Sequence, residues 1–233
     1  MDRTDDSLIP ATPTPDDYAR EAQAQEAFGV ADDQGAVFGD DPIALFADWL
    51  RLAGRHEPND PNAVALASVD ADGMPDCRVV LLKDLSENEG RGAFSFYSNT
   101  QSAKGRELAA NPRAALCFHW KTQRRQVRVR GRVVPVGPEA SDAYFATRAR
   151  GSRLSAWASR QSRPAADRAE LVSAMQDAET RFDGGDVPRP PHWYGYRIVP
   201  EAIEFWQDGA FRLHDRILFT RRGEAWETTR LYP

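Results

Sequence analysis

The clearest amphipathic pattern begins at Asp41-Pro42, a capping acid followed by proline at the first helical position, after which Ile43, Phe46, Leu50 and Ala53 recur at helical spacing. That spacing predicts a helix ending near His56. Beyond it the period shortens: Ala63–Val69, Asp76–Lys83 and Gly92–Ser98 read as strands, divided by the turn residues Asp70-Ala71-Asp72-Gly73 and Glu87-Asn88-Glu89-Gly90. Ser102–Asn111 reads as a short helix stopped by Pro112, and Ala114–Trp120 and Gln126–Val136 as two further strands. Helices are predicted at Pro138–Arg148, Ser152–Ser159 and Ala165–Phe182, the last aligning Leu171, Met175, Ala178 and Phe182 on one face. After Gly184-Gly185 and Pro188, Pro190 and Pro191, closing strands are expected at Tyr194–Val199, Ile203–Trp206, Arg216–Thr220 and Ala225–Arg230. Strands on both sides of a helical block predict an α+β, mainly antiparallel, barrel-like domain with peripheral helices rather than an alternating parallel sheet.

Composition changes this picture at one end. The 233 residues carry a net charge of −5, but residues 1–41 alone carry −9, so the remainder is at +4. Residues 1–40, rich in Asp, Pro, Ala and Gln, read as a mobile acidic arm with one weak helical turn around Tyr18–Phe28, and residues 41–233 as the folded domain. A mildly basic body favours anionic partners without identifying one. Two cysteines, Cys77 and Cys117, in no metal-type spacing, argue against a disulfide framework and for a reducing, cytoplasmic compartment. No signal peptide and no membrane span is recognisable, and the GxGxxG, P-loop, GxSxG and HExxH motifs are absent. His56, His119, His192 and His214 share no ligand spacing, so no metal is expected.

Five segments carry candidate chemistry. In Arg78-Val79-Val80-Leu81-Leu82-Lys83, a period of two sets Arg78, Val80 and Leu82 opposite Val79, Leu81 and Lys83, so cations bracket one strand; a half-buried strand with surface charges reads the same way. Tyr97-Ser98 through Ser102-Ala103-Lys104 runs a strand into a helix start, whose N–H groups, hydroxyls and lysine would cradle a phosphate, or whose Ser102 is simply an N-cap. Gln126, Arg128, Arg130 and Arg132 share a strand face; a nucleic-acid ribbon would look alike, but aromatic interleaving is sparse and an ion-paired face accounts for it better. Tyr144 and Arg148, four apart on one predicted helix face with Ser152 a turn beyond, would suit a phosphate monoester, or form an exposed helix end with its favoured cation. Arg212, His214 and Arg216 would project from one face of an extended segment after Trp206.

Together, RVVLLK, FYSN with SAK, RQVRVRG, SRLSAWASRQS, IEFWQ, RLHDR and the terminal RLYP resemble the pyridoxine/pyridoxamine 5′-phosphate oxidase family over about Asp41 to Pro233. The resemblance implies an FMN-binding split β-barrel that forms a homodimer with FMN at the subunit interface. It further implies oxidation of pyridoxine 5′-phosphate and pyridoxamine 5′-phosphate by O2 to pyridoxal 5′-phosphate, releasing H2O2 and, from the amine, NH3. By matching positions it assigns FMN contacts to Arg78, Val79, Val80, Leu81, Leu82, Lys83, Tyr97, Ser98, Lys104, Gln126, Gln161, Ser162, Trp206 and Arg216. Lys83, Tyr144, Arg148 and Ser152 would meet the substrate phosphate, and Arg212, Leu213 and His214 the pyridine ring, with Arg212 and His214 catalytic. Ala103 stands where the family commonly has an arginine, which would cost the FMN phosphate a contact. The alternatives are a split-barrel flavin oxidase of another ring, such as a phenazine precursor, and a non-catalytic FMN or pyridoxal-phosphate carrier; no nucleic-acid or membrane partner is expected.

Overall fold

A computed structural model describes residues 13–27, 39–86 and 92–233. Asp41 caps α2 (Pro42–His56) as expected, its carboxylate accepting from the Ile43 and Ala44 N–H groups. Within the acidic arm the helix is longer than the expected turn: α1 spans Pro15–Ala27 because Thr14 and Asp17 cap one another reciprocally. The bonds from Thr14, and then Arg20, hold the Asp17 carboxyl down at about 2. Phe28 lies outside the described residues.

Among the described residues nine strands form one antiparallel sheet: β1 (Ala63–Val69), β2 (Pro75–Leu81), β3 (Asp84–Ser86), β4 (Ala93–Asn99), β5 (Arg113–Trp120), β6 (Arg125–Pro135), β7 (Trp193–Gln207), β8 (Asp215–Arg222) and β9 (Ala225–Arg230). Their order is β2-β1-β5-β6-β7-β4-β3, with β8 on β7 and β9 on β8. Only two residues separate β2 from β3, at opposite ends of that order, so the sheet curls back on itself. The expected segment Asp76–Lys83 therefore ends at Leu81, and Lys83 donates its N–H to the Ser95 carbonyl.

Two of the expected closing strands are one. β7 continues through Pro200, pairing with β4 before it and with β8 after it, while β6 runs beside both halves. Proline removes one ladder donor where the strand changes partners, and the β6 register slips between Arg130 and Gly131 opposite it. A Cβ at Gly131 would stand 2.0 Å from the Val199 carbonyl oxygen, so this crossing requires glycine.

The inner face is filled by α2. Phe46 meets Phe94 and Phe118, each at 4.8 Å, and Trp49 meets Phe205 edge-on at 5.1 Å. With Phe46 wholly buried, Phe46→Ala would cost about 3–5 kcal/mol. The helix α3 (Ala103–Ala110) adds Leu108 to this core, whereas α4 (Pro138–Ala146), α5 (Arg150–Ala158) and α6 (Arg168–Arg181) lie outside it. Leu154, Ala178 and Val187 tie α5 to α6 in a separate cluster.

Candidate active site

One cavity of about 280 Å3 gathers much of the predicted constellation. Its walls are Arg78, Val79, Val80, Leu81, Lys83, Tyr97, Ser98, Lys104, Tyr144, Arg148, Gln161 and Trp193. A second cavity of about 320 Å3 shares Tyr97, Ser98, Arg148, Gln161 and Trp193 with it and adds Asn99, Ser155 and Ser159.

The strand-to-helix turn from β4 to α3 supplies the cationic end. Ser102 caps α3, receiving the Gly105 N–H at 3.2 Å, and Lys104 sits in the first turn. The Lys104 Nζ donates to Gln161 Oε1 at 3.0 Å and to Ser102 Oγ at 3.4 Å, and Ser98 Oγ donates to the same Gln161 oxygen at 3.4 Å. Burial, then the neighbouring charge of Arg78, lowers the Lys104 ammonium below its ordinary value. Arg78 is braced from the sheet's inner side by Glu107 at 2.8 Å and Asp76 at 2.6 Å, with Ser68 against both Arg78 and Glu107.

The aromatic end is a stack. The ring centroids of Tyr97 and Tyr144 lie 4.0 Å apart and those of Tyr97 and Trp193 5.2 Å, nearly parallel, and the Arg148 guanidinium rests over Trp193 at 4.8 Å. Tyr144 and Arg148 do not share one helix, as the sequence pattern suggested; α4 ends at Ala146, and the turn at Thr147 carries Arg148 into the same cavity. Arg148 Nη1 is buried with no acceptor among the described residues, and burial lowers its guanidinium from the ordinary value. Burial raises the Tyr97 phenol, which stays neutral.

The remaining predicted residues lie elsewhere. Leu82 is in the core; Ser152 is exposed on α5; Ser162, with φ of 66°, lines a separate groove before α6. Gln126, Trp206 and Arg216 stand side by side in register on β6, β7 and β8. Arg216 donates to Glu204 Oε1 at 2.8 Å and Arg128 to Glu204 Oε2 at 2.5 Å, so one buried carboxylate braces two cations. Leu213 and His214 line a cavity of about 460 Å3 with Asp215, Arg230 and the C-terminal residues Leu231 to Pro233. The segment before them is not extended: Ala210–Arg212 is a single 3-10 turn, with Phe211 and Arg212 both at positive φ. His214 therefore stands beside Trp206, ring centroids 4.6 Å apart, while Leu213 is exposed.

Trp193, Ser155 and Ser159, together with the bracing acids Glu107 and Glu204, escape sequence reasoning. Their local signals were ordinary, since a strand-opening tryptophan and acids facing arginines acquire meaning only through strand pairing. The cavity nonetheless fits a phosphorylated flat heterocycle such as FMN. Lys104 and the orphaned Arg148 Nη1 offer donors for an anion, and Val79, Leu81 and Tyr97 offer apolar walls for a ring. Among the described residues there is no group of side chains suited to a metal ion and no helix long and apolar enough to cross a membrane.

Comparison with known proteins agrees with this geometry. Residues 50–182 match the family described as Pyridoxamine 5′-phosphate oxidase, and residues 193–233 the Pyridoxine 5′-phosphate oxidase C-terminal dimerisation region. A Caulobacter vibrioides protein named pyridoxine/pyridoxamine 5′-phosphate oxidase is 55% identical, covering 98% of this chain and 99% of its own. One of the same name from Maricaulis maris is also 55% identical, over 99% and 100%. Among solved structures, PhzG from Burkholderia lata in complex with tetrahydrophenazine-1-carboxylic acid superposes with a TM-score of 0.77 at 31% identity, covering 84% of this chain and 94% of that one. A pyridoxamine 5′-phosphate oxidase-related, FMN-binding protein from Nostoc punctiforme shares the fold, with a TM-score of 0.65 at 17% identity over 83% of this chain and 98% of that one. With matches of this extent over both its helical block and its closing strands, the chain belongs to the pyridoxamine 5′-phosphate oxidase family.

Proposed function

We propose that this chain is an FMN-dependent oxidase that converts pyridoxine 5′-phosphate and pyridoxamine 5′-phosphate, with O2, to pyridoxal 5′-phosphate in vitamin B6 biosynthesis and salvage. The observation that carries the reading is a cavity joining Lys83, Lys104, Tyr144 and the unpartnered Arg148, in a chain 55% identical over nearly its whole length to enzymes of that name. When bound, FMN supplies a two-electron acceptor that O2 regenerates, yielding H2O2. Pyridoxine phosphate gives the aldehyde directly, whereas the amine gives an imine that water hydrolyses, releasing NH3.

The chain's own residues bind and orient. Lys104, Ser98, Gln161 and Arg78 hold the cofactor phosphate, and Val79 to Leu81 with Tyr97 form the wall for its ring, Leu82 backing that strand from the core. Lys83, Tyr144, Arg148 and Ser152 take the substrate phosphate, a remote handle whose binding energy fixes the reacting carbon. Arg212, Leu213 and His214 face the pyridine ring, and Gln126, Ser162, Trp206 and Arg216 complete the cofactor site. These last groups lie outside the Lys104–Arg148 cavity of a single chain. The homodimer, to which the dimerisation region at residues 193–233 belongs, unites the two halves at the subunit interface. Residues 1–40 act as an arm beside residues 41–233, Tyr18 of α1 standing 5.3 Å from the Phe211 ring next to Arg212. Two free cysteines, one of them exposed, suit a cytoplasmic location.

Aerobic turnover of the FMN-loaded protein on both phosphorylated vitamers, following pyridoxal 5′-phosphate and H2O2 together, tests the reading. Stoichiometric formation of both products is expected. A flavin-loaded protein that oxidises neither vitamer, or only an unphosphorylated ring such as a phenazine precursor, would overturn it.

A further inference from the structure

His214 is held from three sides. Its Nδ1 lies 2.9 Å from Asp208 Oδ1, the Gly209 N–H reaches the same nitrogen at 3.2 Å, and its ring packs on Trp206. Both side chains of the Asp208–His214 pair are close to nine-tenths buried. Asp208 is fixed in turn: its other carboxylate oxygen receives Arg124 Nε at 2.5 Å, and its N–H donates to the Arg124 carbonyl at 3.0 Å. The turn leaves little room for rearrangement, because a Cβ on Gly209 would stand 2.0 Å from the Leu213 carbonyl oxygen.

This geometry decides which ring nitrogen carries the proton. An unprotonated Nδ1 would accept from Gly209 but set its lone pair against a carboxylate at a shorter distance; a protonated Nδ1 donates to that carboxylate in a charge-assisted bond. With the proton on Nδ1 the shorter Asp208 bond is made and the Gly209 N–H is left as a close contact only, while Nε2, with no hydrogen-bond partner among the described residues, is left for a ligand. Arg124 keeps the carboxylate aimed, so the acid orients the imidazole instead of moving away with solvent.

We propose that Asp208 is a positioning residue: locked by Arg124, it fixes the His214 ring in one tautomer and one rotation, so that Nε2 is presented to the phosphorylated pyridine substrate. The proposal rests on the reading of His214 as a substrate-contacting residue, and it goes further in naming the group through which that contact is set.

The test uses the FMN-loaded full chain. Asp208→Ala is expected to raise KM for both vitamers, and the Kd for pyridoxal 5′-phosphate measured by equilibrium titration, by about tenfold, one charge-assisted bond's share of orientation. Flavin content should stay near that of the unmodified protein, while Tm should fall because Arg124 loses its carboxylate. Asp208→Asn keeps the shape and removes only the charge, so a smaller rise is expected, and this variant carries the test if the alanine variant does not fold. In the His214→Ala background, Asp208→Ala should add nothing, and 15N spectra should show protonated Nδ1 in the unmodified protein and a tautomer mixture in Asp208→Ala. Additive losses in the double variant, or an unchanged KM for Asp208→Ala beside a damaged His214→Ala, would overturn the role of Asp208 alone. An unimpaired His214→Ala would instead overturn the reading of His214 on which it rests, and the positioning role with it.

Discussion

The two halves of the site handle positive charge in opposite ways. In the cavity between β2, β4 and α4, Arg148 has no carboxylate against it and Lys104 meets only neutral oxygens, so both sit in burial that penalises their charge. Along β6 to β8 the site's arginines are paired: Glu204 braces Arg128 and Arg216, and Asp208 braces Arg124 while holding the His214 ring. An unpaired buried cation is poised for an anion, because the arriving phosphate replaces solvation the fold has already removed. A paired cation is held in place, which suits a group that must orient a ring and not neutralise a charge. Arg78 bridges the two styles, lining the phosphate cavity while braced by Glu107 and Asp76.

The largest effect should come from breaking the unpaired half. Arg148→Ala removes two or more charge-assisted bonds to the substrate phosphate, each about 1.5–3 kcal/mol, and should raise KM for both vitamers by about a hundredfold. Because Nη1 is buried without an acceptor, relief of that atom offsets the lost stacking on Trp193, and Tm should change little. A KM within about threefold of the unmodified value would place the phosphate elsewhere. Arg212→Ala comes next: it should lower kcat by some tens of fold, a loss of about 2 kcal/mol, with flavin absorbance intact. Full activity in that variant would remove Arg212 from the ring-binding half.

The paired half predicts a different signature. Glu204→Gln leaves Arg216 and Arg128 without their shared carboxylate. Arg128 is half exposed and regains water, so the expected destabilisation is about 1–2 kcal/mol, read by denaturant unfolding. FMN affinity should fall alongside it while KM for the vitamers hardly moves. Loss of vitamer affinity without loss of stability would merge the two halves and remove the contrast between them.

Local signals explain what could be read from the chain before its structure. The ends of α2, β1, β4, α3 and β9 follow from Asp41-Pro42, Asp70–Gly73, Ser102, Pro112 and Gly223, residues whose backbone preferences act within a few positions. Pro200 misled for the same reason: locally it breaks a strand, but flanking pairs with β4, β6 and β8 carry β7 across it. The phosphate-site residues were legible as motif blocks because Tyr97 to Lys104 and Tyr144 to Arg148 are contiguous. Their bracing acids were not: Glu107 reaches Arg78 across 29 residues and Glu204 reaches Arg128 across 76, separations that only the sheet register closes. The division of the site between two cavities is likewise a property of strand order, invisible in spacing.

The smallest predicted effect separates the halves by pH. Burial and the charge of Arg78 hold Lys104 below its ordinary 10.5, so over the interval from that lowered value up to 10.5 the unfolded chain binds more protons than the folded one. Stability of the flavin-free protein should therefore gain from Lys104 as pH rises through that window. Phosphate binding works the other way, favouring the ammonium, so FMN affinity should be flat while Lys104 is charged and fall, by at most about tenfold per pH unit, once it loses its proton. Arg148 is also lowered by burial but remains cationic as a guanidinium and contributes no slope. Flavin fluorescence titrations from about pH 7 to about pH 10 read the trend, and Lys104→Met should weaken FMN binding at neutral pH while flattening it. A slope that survives in Lys104→Met would assign the titrating group to another residue and leave Lys104 with no special tie to the phosphate.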